Sequence, residues 1–279
     1  MHAIAFSDKR PIVLPMAVSV LQVAREMIEK NRFHGVLVDE RSSPRGVISI
    51  RDIAKAIFIV GEEGIELVEA GSLGKILENP CHLYASYPPI VASSDISLED
   101  AVELMVARNI GCLPLVDEES KLVGVLDERF LIKAIPEYAR VGPCDIASWD
   151  VLWVEPFEEI LASVGYMLSS GIRRLVVRLN GEYRLVSLVQ VMKYVVEEGV
   201  LGRLLRGERA PLEEPVEKIT VKPWVVECSY TLKEVSSIVA FEPTGAVLVF
   251  DREGNRGPGV LTERDLLVAL YQELKSRER

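Results

Sequence analysis

Two stretches of this chain place a hydroxyl and a carboxylate where they could hold a small phosphorylated ligand. Residues 46–52 read Gly-Val-Ile-Ser-Ile-Arg-Asp and residues 259–265 read Gly-Val-Leu-Thr-Glu-Arg-Asp. In each, an apolar run ends in a hydroxyl residue, Ser49 or Thr262, at the point where a helix should begin. A helix N-terminus offers free backbone N–H groups and a partial positive charge, so an anion is favoured there. A carboxylate one turn further in, Asp52 or Asp265, can accept two hydrogen bonds from the vicinal hydroxyls of a ribose. Arg51 and Arg264 add positive charge beside it. The same residues also satisfy a purely structural pattern, a capping box in which hydroxyl and carboxylate bond each other's main-chain N–H groups. The residues alone leave both readings open.

Composition narrows the classes of function. Lys and Arg number 32 against 42 Asp and Glu, a net charge of −10 over 279 residues. An acidic chain repels polyphosphate backbones, which argues against general nucleic-acid binding but not against a local basic pocket for a small anion. No apolar run approaches the roughly 18–20 residues of a membrane span. The opening MHAIAFSDKR lacks a secretory layout, so a cytoplasmic location away from membranes is expected. The four cysteines (Cys81, Cys112, Cys144, Cys228) and three histidines (His2, His34, His82) show no zinc-ligand spacing. The cysteines are expected to be small buried hydrophobes in a reducing compartment. There is no phosphate-binding Gly-rich loop, no Gly-x-Ser-x-Gly and no paired Cys and His. No catalytic residue, metal site or catalytic cofactor is therefore assigned, and an enzyme is not expected. Asn and Gln are scarce beside abundant Glu and Arg, a balance found in heat-adapted proteins.

The elements that must position the two motifs recur four times. Residues 32–58, 110–135, 172–196 and 244–270 each read as strand, polar turn, strand and helix. In the third copy the turn is Asn180-Gly181, a strong hairpin signal. An amphipathic helix precedes each hairpin, with inward faces at Val20, Val23, Ala24, Met27 and Ile28; Leu98, Ala101, Val102 and Met105; Ile160, Leu161, Val164, Met167 and Leu168; and Leu232, Val235, Ile238 and Val239. A short strand-like piece opens each copy, near residues 11, 88, 149 and 222. One such unit of ~50 residues buries too little apolar surface to stand alone, so units are expected to pair sheet to sheet, the first with the second and the third with the fourth. The expected divisions are 1–60 and 61–140, forming one pair, and 141–200 and 201–279, forming the other. The hinge is expected near 135–148, where Pro136, Gly142 and Pro143 cluster, and 61–80 is expected to be a partly helical connection.

The repeated unit, closing on Gly-h-h-Ser/Thr-x-x-Asp (h, hydrophobic), resembles the CBS (cystathionine beta-synthase) domain. Four units in one chain resemble the archaeal stand-alone four-CBS proteins and the gamma subunit of AMP-activated protein kinase. The resemblance implies an α/β (α+β) fold of four β-α-β-β-α units, paired into two Bateman modules in a pseudo-symmetric disc. It also implies a regulatory, non-enzymatic protein whose clefts take AMP, ADP, ATP or S-adenosylmethionine. Homodimers or a protein partner are compatible with it. Carried onto this sequence, Ser49 and Thr262 would contact phosphate, and Asp52 and Asp265 would contact ribose. Adenine would lie near Ile12 and Val13 in copy one, and near Trp224 and Val225 in copy four. His34, Arg173 and Arg174 would begin the middle strands and reach phosphate. Copy two departs from the pattern, with Asp127 in the hydroxyl position and Phe130 in the carboxylate position, and its cleft is expected to be empty. Copy three keeps Ser187 but has Gln190 for the acid, a weaker uncharged partner. One competent cleft per module is expected. The competing reading is an interaction scaffold with vestigial clefts.

Overall fold

The computed structural model describes residues 1–61 and 64–277. Unit 1 runs through β1 (Val13–Pro15), α1 (Val20–Lys30), β2 (His34–Val38), β3 (Pro44–Ser49) and α2 (Ile50–Ile57). A connection of β4 (Phe58–Gly61), β5 (Gly64–Leu67) and α3 (Ala70–Glu78) follows. The helix there agrees with the expected partly helical link, and the antiparallel pair ahead of it is a feature that the residue pattern does not announce. Unit 2 comprises β6 (Ala92–Ser93), α4 (Leu98–Ala107), β7 (Cys112–Val116), β8 (Leu122–Asp127) and the short α5 (Glu128–Leu131). After α6 (Pro143–Ile146), unit 3 comprises β9 (Trp153–Val154), α7 (Ile160–Ser169), β10 (Arg174–Leu179), β11 (Glu182–Ser187) and α8 (Leu188–Val195), with α9 (Glu198–Leu205) behind it. Unit 4 comprises β12 (Val225–Glu227), α10 (Leu232–Val239), β13 (Ala246–Asp251), β14 (Arg256–Thr262) and α11 (Glu263–Arg277).

Each unit folds the same way because each repeats the same signals. The first strand pairs parallel with the middle strand, which the intervening helix makes possible, and the middle strand pairs antiparallel with the third. The tight turn between β10 and β11 places Asn180 at φ 51° and Gly181 at φ 82°, the left-handed conformations a two-residue hairpin needs. Three of the first helices start on side-chain caps: Ser19 accepts from Gln22 N–H, Ser97 from Asp100 N–H and Thr231 from Glu234 N–H. On the inward faces Val23, Met27, Ala101, Met105, Val164, Met167, Val235 and Val239 are buried.

Packing joins all four units. Val36, Cys112 and Val125 bring the sheets of units 1 and 2 face to face, and Val176, Leu185, Ala246 and Leu248 do so for units 3 and 4. The helices pair crosswise. Those of unit 1 share one apolar core with those of unit 3, and those of unit 2 share another with those of unit 4. No helix is long and apolar enough to cross a membrane among the described residues.

One expectation about the cysteines is overturned. Cys144 in α6 and Cys228 after β12 form a disulfide across 84 residues of sequence, with Cα atoms 5.2 Å apart, while Cys81 and Cys112 remain free and buried. The proline-rich hinge at 135–148 is thus tied to unit 4. A bond closing so long a loop restricts the unfolded chain, so its reduction is expected to cost about 2–4 kcal/mol. Chemical denaturation with and without reductant measures that loss, and equal midpoints would refute it.

Candidate functional site

The entry segment of each unit does not stay with its own unit. Ser86, ahead of β6 in unit 2, pairs with Val47 of unit 1, and Ser148, ahead of β9 in unit 3, pairs with Val260 of unit 4. Val221, ahead of β12, pairs with Leu185 of unit 3, and the Asp8 N–H, ahead of β1, bonds the Val125 carbonyl of unit 2 at 2.9 Å. Three motif glycines permit these crossings. A Cβ on Gly46 would sit 3.3 Å from Ala85, one on Gly259 2.9 Å from Trp149, and one on Gly124 2.8 Å from the Ser7 hydroxyl. Each cleft is therefore built from one unit's strand-to-helix junction and its partner's entry segment.

Ile12, Val13, Trp224 and Val225 are the residues expected to wall the adenine. Ile12 is a buried core residue, 1% exposed, and Trp224 is 60% exposed; neither they nor Val13 and Val225 line the central cavity. Each stays on its own unit's sheet: Val13 pairs with Val36 and Val225 with Leu248, and the carbonyls of Ile12 and Trp224 accept from the N–H groups of Val36 and Leu248. The segments beside the two intact motifs are Pro88–Ile90, next to Ser49 and Asp52, and Asp150–Leu152, next to Thr262 and Asp265. Repeat order reveals an entry segment but not which sheet it joins, so the sequence carries no signal for this.

Both intact motifs open onto one cavity of about 740 Å³. Of the residues singled out in the sequence, Ser49, Arg51, Asp52, His34, Arg173, Arg174, Thr262, Arg264 and Asp265 all line it. The two acids stand in the capping geometry. Asp52 Oδ2 accepts from Ser49 N–H at 2.8 Å and from the Ser49 hydroxyl at 2.7 Å, and Asp265 Oδ2 accepts from Thr262 N–H and hydroxyl, both at 2.8 Å. Among the described residues no group donates to the second oxygen, Oδ1, of either carboxylate. Burial pushes the Asp265 carboxyl above its ordinary range, against the opposing Thr262 bonds.

The cavity lining is densely charged, with Arg51, Lys55, Arg173, Arg174 and Arg264 beside Asp52, Glu128, Asp150 and Asp265. Arg173 bonds Glu128 at 3.0 Å and lies 3.3 Å from Glu263, Arg174 bonds Glu263 at 2.6 Å, and Arg264 lies 3.0 Å from Glu128. Three arginines thus face two buried glutamates, Arg51 stands beside them, and four units contribute to the cluster. Burial opposes the Glu263 charge, but Arg174 and Arg173 hold its carboxyl below the ordinary range. Sequence reasoning misses Glu128 and Glu263, because a charged residue opening a helix is expected to face solvent. The one signal that marks them is their position directly after the residue in the junction's hydroxyl place, Asp127 or Thr262. Arg51 differs from the other three arginines. It donates to the Gly171 carbonyl at 2.8 Å and has no carboxylate within 4.0 Å among the described residues. Burial, and then the nearby Arg173, push its guanidinium below the ordinary range.

At the other two junctions the residues in the motif positions bond to other protein groups. Asp127 caps α5 by accepting from Arg129 N–H at 2.9 Å, and it bonds His34 Nδ1 at 2.8 Å. Burial works against its charge, but the His34 bond leaves the carboxyl below its usual range. Where the ribose acid would be, Phe130 carries the Arg32 guanidinium 4.7 Å from its ring centre, and Arg32 is bonded in turn to Asp8. In unit 3 Ser187 is buried, caps α8 through Val189 N–H and donates to the Gln190 side chain, outside the central cavity.

Four β-α-β-β-α units, joined sheet to sheet with exchanged entry segments, define a tandem CBS-pair protein. The CBS domain model matches residues 4–59 and 83–137, which are units 1 and 2. An uncharacterized 33.4 kDa protein in the ribosomal RNA operon of Thermofilum pendens is 31% identical over 265 residues, covering 92% of this chain and 87% of its own. The chain belongs to the CBS-domain family. Protein MJ1225 of Methanocaldococcus jannaschii is 23% identical over 94% of this chain and 96% of its own. Its crystal structure, described as that of a candidate archaeal homologue of g-AMPK, superposes with a TM-score of 0.80 at 18% identity, over 97% of this chain and 100% of that one. An uncharacterized conserved protein from Pyrococcus horikoshii shares the fold with a TM-score of 0.60, at 17% identity over the same shares.

Proposed function

We propose that this chain is a non-enzymatic regulatory protein that binds an adenine nucleotide in each of two clefts, one built on Ser49 and Asp52 and the other on Thr262 and Asp265. The observation that carries this reading is the shared cavity. It sets a hydroxyl, a helix N-terminus and a carboxylate with a free oxygen beside arginine side chains, in both intact units. The free Oδ1 supports ribose recognition, because it can accept from a sugar hydroxyl while Oδ2 stays with its cap. The hydroxyls of Ser49 and Thr262 would turn from the acid to a phosphate oxygen. The arginines favour AMP, ADP or ATP over S-adenosylmethionine, whose sulfonium would bring positive charge against them. Both clefts take walls from two units, so a ligand would shift unit packing by its differential affinity for two arrangements. A partner, or a second copy of the chain, would read that shift.

The capping bonds favour a second reading, an interaction scaffold in which the two acids only close helix ends. A thermal-shift series separates the readings, because a ligand selective for the folded state raises the melting temperature by mass action. The nucleotide reading expects a rise with adenine nucleotides at 100 times Kd equivalent to about 2.7 kcal/mol per site. No response at saturating concentration would leave the scaffold.

A further inference from the structure

The two clefts are alike in their motifs but not in charge. In unit 4 the motif arginine is already engaged: Arg264 Nη2 lies 3.0 Å from Glu128 Oε2, and Glu128 is 1% exposed. The residue before Arg264 is Glu263, fully buried and paired with Arg173 and Arg174. In unit 1 the equivalent residue before the arginine is Ile50, and Arg51 bonds only the Gly171 carbonyl among the described residues. Lys55 lines the cavity three residues past Asp52, whereas Val268 stands three residues past Asp265.

Resting on the nucleotide reading above, we propose that the unit 1 cleft selects ligands with di- or triphosphate tails, that the unit 4 cleft takes the monophosphate, and that Glu128 sets the difference. A tail extending from Thr262 meets an arginine whose charge Glu128 already offsets. A tail extending from Ser49 meets Arg51, which has no carboxylate within 4.0 Å among the described residues, and Lys55, which lines the same cavity. Each added phosphate therefore gains charge-assisted hydrogen bonds in the unit 1 cleft and little in the unit 4 cleft.

Calorimetric titration of AMP and ATP into two single-cleft variants tests this. Asp265→Ala leaves the unit 1 cleft, and Asp52→Ala leaves the unit 4 cleft. The first is expected to bind ATP about tenfold or more tighter than AMP, and the second to bind ATP no tighter than AMP. Adding Glu128→Gln to Asp52→Ala should raise ATP affinity about tenfold with little change for AMP. Adding Arg51→Gln to Asp265→Ala should erase the preference for ATP, and this pair carries the test if circular dichroism shows that Glu128→Gln does not fold. Equal ATP-to-AMP ratios in both single-cleft variants would overturn the inference and leave the nucleotide reading standing. Absence of binding in both variants and in the unmodified chain would overturn the two together.

Discussion

Replacing Glu263 by alanine is expected to destabilise the protein by about 3–5 kcal/mol, because it strips the carboxylate from two buried arginines. Arg174 would keep only the carbonyls of Thr244 and Gly245, and Arg173 only Glu128. Both guanidiniums are largely buried, with 7% of the Arg174 and 18% of the Arg173 side chain exposed. The network spans units 2, 3 and 4, so the loss should appear as one lowered cooperative transition in urea, not as the melting of a single unit. The pH dependence follows from the direction of the Glu263 shift. A carboxyl lowered in the folded state contributes stability that is present above its ordinary value of 4.5 and is lost as pH falls through the lowered folded value. The unmodified protein should therefore lose stability on acidification below about pH 4.5, and Glu263→Ala should flatten that part of the profile. A variant as stable as the parent would refute the role given to this network.

Removing the motif acids should act on binding and leave the fold largely intact. Asp52→Ala and Asp265→Ala each delete a charged acceptor for ribose, a loss of about 1.5–3 kcal/mol in nucleotide affinity, or roughly 10- to 150-fold. Each also removes a helix cap, which costs about 0.5–2 kcal/mol of stability. The two effects separate cleanly, because a cap explains the second and not the first. Asn at either position would preserve much of the cap but not the charge, so affinity should drop while the melting temperature stays close to the parent's. The unit 4 cleft should also weaken on acidification as Asp265, raised by burial, takes up a proton and stops accepting from the sugar.

Much of this architecture is written locally. The four-fold repeat, the Asn180-Gly181 hairpin, the capped first helices and the Ser49/Asp52 and Thr262/Asp265 motifs all follow from neighbours in sequence, where turn chemistry and periodicity act. The residues that sequence does not place are those whose meaning depends on a distant unit. Ile12, Val13, Trp224 and Val225 stay on their own units' sheets, whereas the segments just ahead of them cross to the partner unit, and repeat order does not tell the two apart. Glu128 and Glu263 look like solvated helix starts until arginines from other units reach them. Cys144 and Cys228 stand 84 residues apart and meet only because Ser148 crosses to unit 4. His34 is legible as a cavity residue, but its bond to Asp127 ties it to the degenerate junction of unit 2.

The role of the two motif carboxylates is tested most directly by titrating AMP into the parent chain and into a variant carrying both Asp52→Ala and Asp265→Ala, with heat of binding as the readout. Two sites per chain are expected in the parent, and no measurable binding in the double variant, whose circular dichroism should remain that of the parent. Undiminished affinity in a folded double variant would contradict the assignment, since the sugar would then be held by something other than these two side chains.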